Sequence, residues 1–360
     1  MTYSVYQHWD PLKVCVVGKS YPPELYDYIK NEKIRKVFYK IAEETEEDYQ
    51  KLISILERFN VKVIRPDITS PVGYAKEAIE NDGSGASVPN PFFMQPRDHT
   101  IMIGEKYFVN PHHKVWHNIN QHIIENGNTL YDNNELLIGD RIEWHNTELR
   151  GPSLANGAMT TRVGKDLYIG THQGIHSTNI LDNLQSILEK KFPDNRIHIV
   201  DTQGHNDGYF CPAVPGLIFS ITSPLNYKET FPDWEVVYLE NESWSKMQDF
   251  TKLKKKNYGK WWVPGEELND DFTNFVETWM NHWVGYAEES VFDVNMLMID
   301  KKNAIVNGYN KLVFDAFDRY GITPHICNFR HRYFWDGGLH CITSDLHREG
   351  VMEDYFPERG

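Results

Sequence analysis

Apolar positions along this chain come in short runs, each broken by a few turn residues. "TIMIGEKYFVN" (100–110) reads as strand, tight turn, strand, and so does "TTRVGKDLYIG" (160–170), which turns at Gly-Lys-Asp. "YFCPAVPGLIFS" (209–220) turns at Pro-Gly, and "NMLMIDKKNAIVN" (295–307) at Asp-Lys-Lys-Asn. "LKVCVVGKS" (12–20) opens a fifth unit whose second arm is less clear. Helical periodicity fills the intervals. "TEEDYQKLISILERFN" (45–60) places Tyr49, Leu52, Ile53 and Leu56 on one face, with Thr45 as the expected N-cap. "NILDNLQSILEKKF" (179–192) and "NKLVFDAFDRYG" (310–321) behave alike, the latter ending at a glycine C-cap. Each helix is followed within a few residues by a strand: "VKVIRP", "RIHIVD" and "PHICNF". The order hairpin, helix, strand recurs at uneven spacing, so it is a repeat of topology more than of sequence. It predicts one pseudo-symmetric α/β domain over 1–360, with strand ends gathered around a common centre where sites form.

Composition agrees with a large packed core. The chain has 360 residues, 40% apolar, with 10 Trp, 20 Tyr and 18 Phe, which sets disorder aside. The net charge of −14 argues against a nucleic-acid or anionic-membrane partner. The one basic cluster, "KLKKKNYGKWW" (252–262), reads as a solvated face. No apolar run approaches the ~20 residues of a membrane span, and "MTYSVYQHWD" has no signal-peptide pattern. Four scattered cysteines, 15, 211, 327 and 341, form no CxxC. They are expected to be reduced thiols in a cytoplasm.

Polar residues that look out of place sit beside the hairpins. Arg97 and Asp98 precede an apolar strand in "QPRDHT", and His205 and Asp207 stand two apart in "GHNDGYF". On a strand, that spacing points both to one face. Cys341 follows two glycines in "GGLHC", residues that permit close approach or unusual φ. One Cys with a distant His and Asp is the general arrangement for thiolate catalysis. Each signal alone also has an ordinary reading. Cys15, Cys211 and Cys327 read as small buried hydrophobes, an Asp before a strand as a turn residue, and His113 with His117 as surface histidines in place of a metal pair.

Taken together the set resembles the amidinotransferases of the guanidino-group-modifying, or pentein, superfamily. "PRDHTIMIGEKYFVNP", "GHNDGYFCPAVPGLIFS", "NMLMIDKKNAIVN" and "GGLHCITSDLHREG" follow that family's motifs in order from about residue 90 onward, and Gly-Gly-x-His-Cys is the most specific. The resemblance implies a five-fold pseudo-symmetric α/β propeller of repeated ββαβ units. It implies Cys341 as nucleophile, His205 as general acid and base, and Asp207 beside them. Asp98, Asn156, Arg330, Arg332 and Asn295 would bind substrate. No cofactor or metal is implied. The partners are a small guanidino donor, expected to be L-arginine, and an amine acceptor; a homo-oligomer is compatible with the family.

Three departures bear on the substrate. The family's second-hairpin carboxylate falls on Asn156, a neutral acceptor, with Glu148 eight residues upstream. "SITSPLNYKET" lacks the arginine that follows the His-x-Asp hairpin in glycine amidinotransferases, and their serine pair falls near Glu288 and Glu289. A different distal group on the substrate follows. The expected activity is amidino transfer through an S-amidino-cysteine. The alternatives are a guanidino-compound hydrolase using water as acceptor and a non-catalytic guanidino binder, which Asn156 alone favours. A papain-like protease fits less well, because its cysteine lies near the start of its domain.

Overall fold

The computed structural model describes residues 2–67, 92–109, 114–132, 142–144, 147–149, 157–172, 178–203, 205–221, 225–239, 263–266, 268–279, 292–335 and 337–360. Among them, β1 (Leu12–Val17) is followed by α1 (Glu32–Arg58) and the parallel strand β2 (Lys62–Ile64). The hairpin β3 (Thr100–Ile103) and β4 (Lys106–Val109) leads through α2 (His117–Glu125) to β5 (Leu130–Asp132), parallel to β4. A small hairpin, β6 (Ile142–Trp144) and β7 (Thr147–Leu149), intervenes. The next unit is β8 (Thr160–Val163), β9 (Asp166–His172), α3 (Thr178–Lys191) and β10 (Arg196–Gln203). It is followed by β11 (Phe210–Val214), β12 (Leu217–Ser220), the single turn α4 (Tyr227–Thr230) and β13 (Glu235–Tyr238). After α5 (Asp270–Trp279) come β14 (Leu297–Asp300), β15 (Asn303–Val306), α6 (Lys311–Tyr320) and β16 (Thr323–Ile326). β17 (Thr343–Arg348) then pairs antiparallel with β1.

The described residues thus hold five three-stranded sheets, each an antiparallel pair extended by a parallel strand. This is the expected repeated ββαβ α/β architecture. The fifth hairpin was hard to see in sequence because its two arms lie at opposite ends of the chain: β1 pairs with β17 through Cys15 opposite Asp345 and Val17 opposite Thr343. Strands β3, β8 and β12 are buried at every position; β3 and β12 read as largely apolar runs, whereas β8 carries Arg162 into the interior.

Two helix details follow from local chemistry. α1 begins well before residue 45. Its cap is Asn31, whose side chain accepts from Lys33 N at 3.0 Å and Ile34 N at 3.4 Å. Thr45, expected as the cap, is buried in mid-helix. Its Oγ1 donates back to Ile41 O at 2.6 Å and accepts from Trp335 Nε1 at 2.9 Å. α6 ends as expected, at Gly321 in the left-handed region with φ 67°.

The middle of the fold is polar. Asp345, on β17, is fully buried among three buried arginines. Arg162 of β8 reaches both carboxylate oxygens at 2.8 Å, Arg97 reaches Oδ1 at 3.0 Å, and Arg348 reaches Oδ2 at 2.7 Å. Burial alone would raise the Asp345 pKa, but Arg162, Arg97 and Arg348 outweigh it and hold the carboxyl well below its ordinary value. Several of the remaining guanidinium N–H groups bond backbone carbonyls, while Arg97 Nη2 and Arg162 Nε are buried without a partner among the described residues. Arg162 Nη1 donates to Met102 O on β3, and Arg348 Nη2 to Met298 O on β14 at 2.9 Å. Arg97 Nε donates to His340 O at 2.8 Å and Thr343 O at 3.0 Å. One carboxylate therefore organises four of the five sheets.

Removing that charge should be severe. Asp345→Asn leaves buried guanidinium groups without their anion, and losing one partner of such a cluster costs about 3–5 kcal/mol. The urea unfolding midpoint should fall accordingly, or the protein should fail to accumulate as folded material.

Candidate active site

Four of the five sheets have a chemically distinctive residue just ahead of their inner strand. Asp98 stands two residues before β3, Asp207 three before β11, Asn295 two before β14 and Cys341 two before β17. In the remaining sheet the matching position before β8 is Ala158. These turns are hydrogen-bonded in sequence. Arg97 N donates to Cys341 O at 3.4 Å, Gly157 N to Arg97 O at 2.8 Å, and Asp207 N to Ala158 O at 3.3 Å. Asn295 Nδ2 then donates to Asp207 O at 3.2 Å, and Cys341 N to Asn295 Oδ1 at 3.2 Å, which returns to the start. The belt brings side chains distant in sequence together, among them Asp207, His340 and Cys341.

Asp98 and Asp207 do not lie on strands. Each occupies a single 3-10 turn, Pro96–Asp98 and Asn206–Gly208, and His205 is the N-cap of the second. The expected shared strand face for His205 and Asp207 is therefore replaced by a tight turn. His205 and Asp98 are both electrostatic neighbours of the Asp207 carboxylate.

Cys341 is buried, and its Sγ lies 3.5 Å from Asp207 Oδ2 and 3.0 Å from Asn295 Nδ2. His340 Nδ1 is 2.7 Å from the same Asp207 oxygen. Burial, then Arg97 and His8, hold the His340 pKa well below the ordinary imidazole value. His340 is thus neutral near pH 7, and its Nδ1–H donates to a carboxylate; the contact is a hydrogen bond and not an ion pair. Asp207 itself is pushed up to about 6, chiefly by burial; His205 and Arg97 oppose this, and Asp98 adds to it. Its Oδ1 is buried without a hydrogen-bond partner among the described residues. An unpaired, desolvated carboxylate oxygen beside a thiol is a seat prepared for a cationic N–H donor.

The space beneath Asp207 and His340 is small. A cavity of about 20 Å³, lined among others by His8, Thr161, Cys211 and Met298, has room for about one water. Cavities of about 370 Å³ and 780 Å³ also exist, but none of the candidate residues lines them.

The two glycines of Gly-Gly-x-His-Cys give close approach and not unusual φ, since neither has positive φ. A Cβ on Gly337 would meet Gln95 Nε2 at 2.5 Å, and one on Gly338 would meet Asn295 Oδ1 at 2.6 Å. Each glycine makes room for an amide side chain. Asn295, expected to bind substrate, lies under the cysteine instead.

Arg330 and Arg332 are engaged elsewhere. Arg330 Nε donates to Asp48 Oδ1 at 2.9 Å, and its Nη2 to Glu47 Oε2 and Glu44 O at 2.7 Å, all on α1. Arg332 Nη1 bonds Asn328 Oδ1 and Phe329 O at 2.9 Å, and its guanidinium lies over Tyr333. Asn156, His113, Glu288, Glu289 and the 252–262 stretch lie outside the described residues. Glu148 is on β7, opposite Glu143, and His117 is exposed at the start of α2. Cys15, Cys211 and Cys327 have thiols pushed up to about 12 by burial, in keeping with inert core cysteines. Sequence reasoning missed Asp345, Arg162, Arg348 and the part taken by His340. No local signal marked Asp345, because its place opposite Cys15 comes from the pairing of strands at opposite ends of the chain.

No family model matches the chain. Over 400 residues it is 22% identical to the mitochondrial glycine amidinotransferase of Gallus gallus, covering 98% of this chain and 84% of that protein. Over 207 residues it is 30% identical to an L-arginine:L-lysine amidinotransferase of Pseudomonas savastanoi pv. phaseolicola, covering 56% of this chain and 46% of that one. Among solved structures it superposes on SxtG, an amidinotransferase of Microseira wollei, with a TM-score of 0.61, 17% identity and coverage of 98% and 99%. At that identity the superposition speaks to the fold, which is the pentein α/β fold. No described helix is long and apolar enough to cross a membrane.

Two outcomes are expected from this geometry. Because burial raises the Asp207 pKa, its folding contribution is fully present below the unfolded value near 3.9 and is lost as pH rises through about 6. Asp207→Asn should therefore melt above wild type at pH 8, with the gap closing toward pH 4. Arg330→Ala should lose about 1.5–3 kcal/mol of stability with its charge-assisted bonds to α1, read by urea unfolding, while the KM for a guanidino donor stays unchanged.

Proposed function

We propose that this chain, a pentein of the amidinotransferase type, moves an amidino group from L-arginine to an amine through an S-amidino intermediate on Cys341. The observation that carries the assignment of residues is Asp207, whose Oδ1 is buried without a partner while its Oδ2 faces the Cys341 sulfur at 3.5 Å. A planar guanidinium supplies the missing N–H to Oδ1, and its charge holds Asp207 ionised against the cost of burial. Asp98 neighbours Asp207 electrostatically and takes another edge of the same cation. The guanidino carbon is thereby set beside the sulfur.

In the first half-reaction the Cys341 thiolate adds to the guanidino carbon. The C–N bond to the departing amine breaks, and His205 supplies that amine with its proton. Ornithine leaves and the amidino group remains on sulfur. In the second, His205 takes a proton from the incoming amine, whose nitrogen attacks the amidino carbon, and the thiolate departs. Each half-reaction breaks one bond at the carbon and forms one, and the proton borrowed from His205 is returned. The names of two relatives, glycine amidinotransferase and L-arginine:L-lysine amidinotransferase, support a small primary amine as the acceptor.

The test uses arginine labelled at the guanidino carbon together with a panel of primary amines that includes glycine and lysine. Ornithine beyond one equivalent per enzyme, and a labelled guanidino product, should appear only when an acceptor is present. Without acceptor, the peptide containing Cys341 should gain one amidino mass, and Cys341→Ser should show neither result. Label released as urea or citrulline regardless of amine would replace transfer by hydrolysis. Asp98→Asn and Asp207→Asn should each weaken donor binding by roughly ten- to a hundred-fold, the value of one charge-assisted hydrogen bond.

A further inference from the structure

Asn295 is the one member of the belt that links its neighbours through a side chain. All four of its hydrogen-bonding positions are used. Oδ1 accepts from His340 N at 2.8 Å and Cys341 N at 3.2 Å, while Nδ2 donates to Asp207 O at 3.2 Å and Cys341 Sγ at 3.0 Å. It is buried, and its seat exists only because residue 338 lacks a side chain. Asp207 Oδ2 on the other side of the sulfur is an acceptor, and an ionised carboxylate 3.5 Å away opposes a thiolate. His340 is turned toward Asp207, with its Nδ1–H already given. His205, Asp98 and Arg97 act on the Asp207 carboxylate.

We infer that Asn295 is a positioning residue that fixes the Cys341 sulfur and donates the N–H that stabilises its thiolate. An N–H aimed at sulfur favours the anionic form, and the two backbone bonds to Oδ1 prevent the amide from turning its oxygen toward the sulfur. Amide orientation is thus set by the chain and not by the thiol. The proposal rests on Cys341 as the nucleophile.

The experiment measures the thiol without any guanidino compound. The full chain is alkylated with iodoacetamide across a pH series, and the peptide containing Cys341 is quantified by mass spectrometry. Asn295→Ala removes the donor. Asn295→Asp keeps an acceptor for both backbone N–H groups while replacing the donor by a carboxylate. Both variants should shift the alkylation midpoint upward, with roughly ten-fold slower modification at pH 7, the equivalent of one pKa unit. The aspartate variant should shift further, with a melting temperature near wild type. In amidino transfer both should lower kcat while the donor KM stays close to wild type. A reactive Cys341 whose pH profile is unchanged in Asn295→Ala, or in Asn295→Asp should the alanine variant not fold, overturns this proposal alone. A raised donor KM with unchanged thiol reactivity would make Asn295 a substrate ligand instead. A wild-type Cys341 that resists alkylation at every pH overturns the nucleophile assignment, and this proposal with it.

Discussion

Everything near the middle of this fold depends on one carboxylate. Asp345 accepts from Arg162, Arg97 and Arg348 with every partner buried, so the group of four carries an excess of two positive charges away from water. Such a cluster holds only while its geometry is complete, because a lone buried ion costs several kcal/mol. Much of the remainder comes from the backbone: carbonyls of Met102, Met298, His340, Thr343 and Asp10 take N–H groups that Asp345 cannot, and only Arg97 Nη2 and Arg162 Nε of the three guanidinium groups stay without a partner among the described residues. Those carbonyls belong to different sheets. The ion cluster therefore fixes sheet against sheet in a way that non-directional apolar packing cannot.

The belt of turns sits against this cluster, and Arg97 belongs to both. Its guanidinium holds Asp345, its N–H meets Cys341 O, and its carbonyl receives Gly157 N. Asp98 is the next residue, so the position of one candidate substrate ligand is set by a side chain that is itself locked in the core. His340 is placed in a similar way, its carbonyl bonded by Arg97 Nε and its ring turned onto Asp207. Rigidity at the centre is what allows Asp207 to remain buried with one oxygen unpartnered. A softer surround would rearrange to satisfy it. The raised pKa of Asp207 is the energetic trace of that restraint, and stability given up at a site in this manner is a common companion of function.

Much of the architecture was legible because inner strands such as Thr100–Ile103 and Leu217–Ser220 are buried throughout and flanked by turn residues. Helices showed by their periodicity, though the start of α1 was misplaced. Thr45 looks like a cap only until Asn31 is recognised, and "EKIRKVFYK" carries enough charge to mask its apolar stripe. The β1–β17 pairing could not be read locally, since no turn joins its arms. The candidate site was legible through resemblance more than through pattern. Asp98, Asp207 and Cys341 do hold equivalent places ahead of their strands, but a residue two or three positions before a strand is ordinarily a turn residue. What separates Asp207 and Cys341 is burial and their mutual distance, and neither is written in a single sequence. The placement of Arg330 shows the converse. A cation near the cysteine in sequence was available for a substrate, yet Asp48, Glu47 and Glu44 on α1 claim it.

The two guanidinium environments of this protein are built to the same physical rule. In the core, carboxylate oxygens meet planar N–H donors, and most of the donors left over are satisfied by carbonyls. At the proposed site, Asp207 Oδ1 is a carboxylate oxygen that still lacks such a donor. The difference between them is charge balance. The core cluster has more cations than anions, whereas Asp98, Asp207 and a thiolate at Cys341 give the site more anions than cations, with His340 held neutral by burial, Arg97 and His8. Under the proposed function, the donor guanidinium meets these acids, and the cations of the cluster behind them would repel it. Arg97 lies between the two and separates them: its charge faces Asp345, while its backbone holds the turn that bears Asp98.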